Sequence, residues 1–194
     1  MKSIAIFASG GGSNFKSIYN HTLDGKIDNT KISLLVSNNP KSGAVLFAKN
    51  KGIEVFILNA NRYPEVNEYN DVLIKKLSET NPSLIVLAGY MKLVPSIVTK
   101  AYKGKIINIH PGKLPDFGGK GFYGINVHQA VIDSGIKETA VTIHYVNKEY
   151  DKGMIIHEEK VIVEKDDSAE SLGKRVLSVE HSIYPKIINK ILNN

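Results

Sequence analysis

The sequence contains no cysteine. That excludes disulfides, thiolate metal sites, iron–sulfur clusters and cysteine nucleophiles together, and leaves cysteine usage silent about redox compartment. No apolar run approaches the ~20 residues needed to span a bilayer. The stretch after Met1-Lys2, Ser3 to Ala8, is too short for a signal-peptide core, so the expected location is the cytoplasm. Arginine is scarce as well: only Arg62 and Arg175 occur, and the net charge of +6 rests on scattered lysines. Nucleic-acid readers use arginine forks and clustered basic stripes. A dispersed lysine coat instead reads as a solvated surface with mild attraction for small anions. Neither nucleic acid nor membrane is expected as a partner.

What is present fits an ordinary globular protein. Hydrophobic residues make up 42% and charged residues 23% of 194 positions, enough to bury a core without staples. The length corresponds to one domain, 1–194, with room for two lobes and no linker between them. Ser3–Ala8, Ile32–Val36, Ile53–Leu58, Leu84–Ala88 and Ile106–Ile109 read as strands buried on both faces. Between them, Asn14–Leu23, Ser42–Lys51, Tyr63–Glu79 and Pro95–Tyr102 have helical spacing, with Val66, Tyr69, Leu73 and Leu77 forming one stripe. This alternation predicts an α/β fold with a mostly parallel, twisted, Rossmann-like sheet and helices on both faces. After Ile109 comes an aperiodic Gly- and Pro-rich stretch, then a helix at Ile125–Ser134. Thr139–Val146 and Ile155–Val163 alternate like strands of an antiparallel C-terminal addition. A last helix starts with Asp167 as its cap and carries Leu172, Val176, Val179, Ile183 and Ile187 on one face. Pro185 is expected to kink it.

Ser9-Gly-Gly-Gly-Ser-Asn14 links the first strand to the first helix. Glycines let backbone amides approach a ligand, and a helix N-terminus favours negative charge. A dinucleotide fingerprint would place Gly or Ala at position 15 and an acid after the second strand; Phe15 and Ser37-Asn38-Asn39 stand there. The Walker lysine is missing too. One phosphate monoester fits better, against the simpler reading of a tight turn with Ser13 or Asn14 as helix cap.

Asn108-Ile-His-Pro111 closes the fifth strand. Period-two geometry puts Asn108 and His110 on one side and Ile107 and Ile109 on the other. A carboxamide beside an imidazole suits stabilisation of negative charge on a carbonyl oxygen. A carboxylate partner is available in the loop Val146–Gly153; spacing leaves Glu149 and Asp151 equally eligible. His21, His128 and His157 lack ligand-like spacing, and no metal site is evident.

Taken together, Gly10-Gly-Gly-Ser-Asn14, Leu87-Ala-Gly-Tyr-Met-Lys92, Asn108-Ile-His-Pro111, Thr142-Ile-His144, Asp151-Lys-Gly153 and Glu180-His-Ser-Ile-Tyr-Pro185 resemble the phosphoribosylglycinamide formyltransferases of the formyltransferase family. The resemblance covers essentially the whole chain. It implies transfer of the formyl group of 10-formyltetrahydrofolate, a cosubstrate, to the amine of glycinamide ribonucleotide in purine biosynthesis, with no metal. By the same resemblance Asn108, His110 and Asp151 form the catalytic trio, supported by Thr142 and His144, with Asp151 keeping His110 cationic. Gly11, Gly12, Ser13 and Asn14 hold the substrate phosphate, and Glu180 meets the ribose. Met91, Lys92, Leu93, Val94 and Asn108 line the folate pocket under a loop of Lys148, Glu149 and Tyr150. The N-terminal half thus takes the ribonucleotide, and the C-terminal half contributes to the folate site.

Departures from the family pattern are local. Gly112-Lys-Leu-Pro115 replaces the common Ser-Leu-Leu-Pro, and the next loop, Asp116 to Gly124, is longer. Val66 stands where some members have an arginine for the folate tail, and Leu177 where a polar ribose neighbour occurs. Other members of the fold remain alternatives: methionyl-tRNA formyltransferase, formyltetrahydrofolate deformylase, or a silent nucleotide- or folate-binding module. The first two normally carry an extra domain that these 194 residues do not include. The intact trio argues against the third.

Overall fold

Seven strands and six helices alternate along the chain of the computed structural model, which describes residues 1–194. In order they are β1 Lys2–Phe7, α1 Ser13–Leu23, β2 Thr30–Ser37, α2 Gly43–Asn50, β3 Glu54–Ile57, α3 Val66–Thr80, β4 Leu84–Leu87, α4 Ser96–Ala101, β5 Ile106–His110, α5 Ile125–Ser134, β6 Glu138–Tyr145, β7 Ile155–Ile162 and α6 Ala169–Asn193. The strands form one sheet in the order β3-β2-β1-β4-β5-β6-β7. The first five are parallel, while β6 pairs antiparallel with both β5 and β7. The doubly wound sheet and its antiparallel addition are those expected from the apolar runs. No helix is long and apolar enough to cross a membrane.

Alternation in the strands supplies two cores. Ile4 and Ile6 of β1 face a cluster built with Phe15, Ile18, Ala44, Leu172 and Tyr184 from α1, α2 and α6. Ala5 and Phe7, one residue out of phase, face Leu73, Leu77 and Val98 from α3 and α4. A strand buried on both faces has no polar position to spare, which is why these segments read as continuous apolar runs. The chain winds outward from β1 in both directions, so the loops after β1 and β4 diverge and open a crevice at the carboxyl edge.

Several local expectations are corrected. Val66 is 72% exposed and drops out of the α3 stripe, of which only Leu73 and Leu77 are buried. The cap of α6 is Ser168, not Asp167: its hydroxyl accepts from Ser171 N, and the Ser171 hydroxyl accepts from Ser168 N. Asp167 instead binds Arg175. Apart from these corrections, α6 runs unbroken through Pro185, the position expected to kink it. A proline removes the bond to the carbonyl four residues back, here His181. The Ser17 hydroxyl of α1 donates to that carbonyl at 3.1 Å, so the orphaned acceptor is satisfied between helices.

Candidate active site

Strand β5 carries Asn108 and His110 on one side, as period two requires, and Ile107 and Ile109 pack on the other. Its antiparallel partner sets what they meet. In the register of β5 and β6, Asn108 lies opposite His144 and His110 opposite Thr142. Asn108 Nδ2 reaches His144 Nε2 at 3.2 Å and Asp151 Oδ1 at 3.4 Å. Asp151 Oδ1 is 3.5 Å from His144 Nε2, and Asp151 Oδ2 is 3.7 Å from His110 Nδ1. Four side chains from β5, β6 and the loop after β6 therefore converge within a few ångströms. Between Glu149 and Asp151, the tertiary structure selects Asp151; Glu149 is exposed and makes no contact with His110.

The loop geometry explains the selection. Asp151 adopts a left-handed backbone, φ 52°, which Asp tolerates better than most side chains and which turns its carboxylate inward. Gly153 then passes so close to β6 that a Cβ would overlap the Tyr145 carbonyl oxygen. That same oxygen accepts from His144 Nδ1 at 2.9 Å. A carbonyl can only accept, so His144 carries its proton on Nδ1 and offers the Nε2 lone pair to Asn108. By the same rule, the 2.7 Å contact from His110 Nε2 to the Phe117 carbonyl places a proton on Nε2. Thr142 is fully buried and donates to Gly112 O at 2.8 Å, anchoring the turn after β5 rather than facing the crevice.

Electrostatics modify one expectation. Burial pushes His110 below its ordinary value, outweighing the opposite pull of Asp151 and of the Phe117 carbonyl. The free site thus holds His110 neutral near pH 7, not cationic. Burial pushes Asp151 upward, but the neighbouring imidazoles of His144 and His110 and the bond from the Gly119 amide together hold it below the usual carboxylate range. Asp151 is an anion waiting beside a neutral imidazole.

The glycine turn sits at the neighbouring carboxyl end, that of β1. Gly12 caps α1 in the left-handed region, φ 74°, where a Cβ would press on Ala44 at 3.0 Å. No side chain caps this helix, so neither Ser13 nor Asn14 plays the capping role, and its first-turn amides lack an internal partner. At Gly10 and Gly11 an added Cβ would meet only open space. Asn14 is buried, and its Nδ2 donates to Glu180 Oε2 of α6 at 2.7 Å, while its Oδ1 has no partner. Burial pushes the Glu180 carboxyl up to about 7, against the bond from Asn14.

Both groups open into one cavity of about 730 Å³. Ser13, Asn14 and Glu180 line it at one side; Met91, Lys92, Leu93 and Val94 line it at the other, with Glu149 and Tyr150. Asn108, His110, His144 and Asp151 lie on its wall between. Gly11, Gly12 and Lys148 are outside this lining, and Lys148 is exposed in the loop. No group of three or more His, Asp or Glu side chains is arranged to hold a metal ion.

Sequence reasoning missed four participants. The Ser9 hydroxyl accepts from Met91 N at 2.8 Å and bonds Asn38 Oδ1, tying the glycine turn to the loop after β4. Tyr184, fully buried, donates to the Leu87 carbonyl at 2.9 Å and lies 3.3 Å from that of Ile107, bridging β4 and β5 where the cavity begins. His128 of α5 lines the cavity and packs so closely on α6 that a Cβ at Gly173 would stand 2.9 Å from its ring. Phe117 contributes only its carbonyl. The signal for Ser9 was its place beside the glycines; a backbone carbonyl leaves no signal in sequence at all.

Known proteins resemble this chain along almost its whole length. The profile of the family described as Formyl transferase matches residues 2–188. The chain is 42% identical over 191 residues to the chloroplastic phosphoribosylglycinamide formyltransferase of Arabidopsis thaliana, spanning 98% of this chain and 65% of that protein. It spans 61% of the corresponding protein of Vigna unguiculata, so it covers less than two thirds of either match. It is 34% identical over 192 residues to the phosphoribosylglycinamide formyltransferase of Bacillus subtilis, covering 99% of this chain and 95% of the other. The crystal structure of phosphoribosylglycinamide formyltransferase from Bacillus halodurans superposes with a TM-score of 0.91 at 36% identity, covering 100% and 96% of the two chains.

Proposed function

The chain belongs to the formyl transferase family, and from that premise we propose that it transfers the formyl group of 10-formyltetrahydrofolate to the amine of glycinamide ribonucleotide, a step of purine biosynthesis. The whole chain works as one formyltransferase domain in the cytoplasm, its N-terminal half holding the ribonucleotide and its C-terminal half completing the folate site. The observation that carries this reading is the single cavity joining an uncapped helix N-terminus to an amide, an imidazole and a carboxylate.

The substrate phosphate sits on the free amides of α1 around Ser13 and Asn14, drawn by the helix dipole, with Gly11 keeping a side chain out of its way and Gly12 supplying the left-handed turn that starts the helix. Glu180, fixed by Asn14, accepts from the ribose hydroxyls. The folate ring system takes the wall of Met91, Lys92, Leu93 and Val94 and lies under Glu149 and Tyr150. Its fit rests on that half-apolar wall, where Leu93 is 42% and Met91 47% exposed.

Chemistry follows from the two nitrogens and the carboxylate. The neutral amine attacks the formyl carbon, the carbonyl π pair moves to oxygen, and a tetrahedral oxyanion bearing an ammonium forms. Asn108 Nδ2 exchanges its long 3.4 Å contact with Asp151 for the oxyanion. Neutral His110 takes the ammonium proton on Nδ1 and becomes a cation only now, beside Asp151 and the oxyanion. Because that attraction develops with the reaction charge, it lowers the barrier rather than merely tightening binding. The same proton passes to the leaving folate nitrogen as the carbon–nitrogen bond breaks, yielding formylated amine and tetrahydrofolate.

A spectroscopic assay of tetrahydrofolate release, with glycinamide ribonucleotide present and omitted, tests the proposal. Release that depends on the amine supports transfer. Equal release without it makes the protein a hydrolase, and binding without release makes it a silent module.

A further inference from the structure

The loop between β5 and α5 reaches both members of the catalytic pair through its backbone. The Phe117 carbonyl accepts from His110 Nε2 at 2.7 Å, and Gly119 N donates to Asp151 Oδ2 at 3.0 Å. Asp151 Oδ2 is also the oxygen 3.7 Å from His110 Nδ1. Gly118 lies between these two bonds, where a Cβ would overlap Leu114 Cδ2 and stand 3.1 Å from Asp151 Cβ. Gly119 takes φ 101°, a conformation open to glycine and strained for other residues, and in it the amide points at the carboxylate.

A neutral imidazole has one proton and here two acceptors for it. Asp151, as an anion, is the stronger acceptor in principle. If it won, His110 would hold its proton on Nδ1, with no lone pair there to receive one from an attacking amine. Distance decides the competition. A contact of 2.7 Å is a hydrogen bond, and one of 3.7 Å is not. The carbonyl therefore keeps the proton on Nε2, and Gly119 occupies Asp151 Oδ2 so that the carboxylate stays anionic and aimed.

Resting on the formyl-transfer reading above, we propose that Phe117–Gly119 is a positioning segment: the Phe117 carbonyl pins the proton of His110 on Nε2, keeping Nδ1 free as the base, while the Gly119 amide holds Asp151 for the cation that forms there. The segment does not touch the reacting atoms; it acts through His110 and Asp151. Beyond it, Lys120 to Gly124 form part of the cavity wall, so the segment joins the wall to the pair.

Two measurements test this. Long-range proton–nitrogen NMR on protein labelled at histidine, with the His110 signals identified by their loss in His110→Gln, reads the tautomer of the wild type at pH about 8. The Nε2–H form is expected, and the Nδ1–H form overturns the proposal. Gly118→Ala pushes the segment away from Asp151 without touching the cavity wall. It is expected to lower kcat roughly tenfold to a hundredfold, to leave both KM values within about twofold, to raise the share of the Nδ1–H form and to displace the acid limb of the pH profile. A drop in kcat with the wild-type tautomer and an unmoved acid limb overturns it, since a merely structural loop would behave so. Should Gly118→Ala fail to fold, the wild-type tautomer alone decides. Absence of formyl transfer with the Nε2–H form intact sinks the reaction assigned above and leaves the pinning of His110 standing.

Discussion

Asn14 and Glu180, 166 residues apart in sequence, are joined by a 2.7 Å hydrogen bond at the edge of the crevice. The bond links α1, whose N-terminus offers free amides, to α6, whose buried carboxyl is pushed up to about 7 by desolvation. Between its ordinary value of 4.5 and about 7, the folded protein binds a proton that the unfolded chain has released. The contribution of Glu180 to stability is thus complete below about pH 4.5 and is lost as the pH rises through about 7.

Glu180→Gln imitates the protonated carboxyl at every pH. The stability of the wild type relative to this variant is expected to fall by roughly 2–4 kcal/mol between pH 4.5 and 8, because each pH unit in which only the folded state holds the proton costs about 1.4 kcal/mol. Urea unfolding of both proteins at the two ends of that range measures it. A difference that stays constant with pH means that Glu180 titrates as an exposed carboxylate.

His110→Ala and Asp151→Asn address the reaction itself. Each is expected to lower turnover by at least ~10²–10³ while the far-ultraviolet circular dichroism stays that of the wild type. Removing the Asp151 charge also removes a pull that raises the His110 pKa. In Asp151→Asn the His110 proton is therefore lost at lower pH still, which NMR titration of the ring reads directly. Near-normal turnover in purified Asp151→Asn would refute its role.

Two glycines separate packing from binding. Gly153→Ala forces a methyl group onto the Tyr145 carbonyl, the acceptor that sets the His144 tautomer. A loss of roughly 2–4 kcal/mol in stability is expected, with activity falling in the folded fraction as well. Gly11→Ala meets nothing within 4 Å. Its thermal midpoint should match the wild type while the KM for the ribonucleotide rises. A destabilised Gly11→Ala with unchanged KM would reverse the assignment of that turn.

Tyr184→Phe deletes only the hydroxyl that donates to the Leu87 carbonyl between β4 and β5. Because the freed carbonyl is buried, the cost is expected at about 1–3 kcal/mol. Denaturant midpoints check it; an effect below a few tenths of a kcal/mol would mean that the bond stabilises nothing in the folded protein.

Much of this molecule follows from local rules. Alternation of apolar strands with 3.6-period helices specifies the doubly wound sheet, because side-chain direction repeats with backbone geometry whatever the rest of the chain does. Period two alone puts Asn108 and His110 on one side of β5. The glycine turn is equally local, since its backbone conformation and its lack of Cβ are properties of those residues. Tertiary structure decided the rest. Asp151 rather than Glu149 meets His110 because a left-handed residue and the close passage of Gly153 aim one carboxylate at a strand far back in the chain. The pKa of His110 lies below its ordinary value because desolvation there outweighs its anionic neighbour, a balance set by burial and not by residue type. The α6 helix survives Pro185 because Ser17, on another helix, satisfies the carbonyl it orphans. Hydrogen-bond partners, burial and charge state depend on which distant segments are brought together, and no repeat in the sequence encodes that.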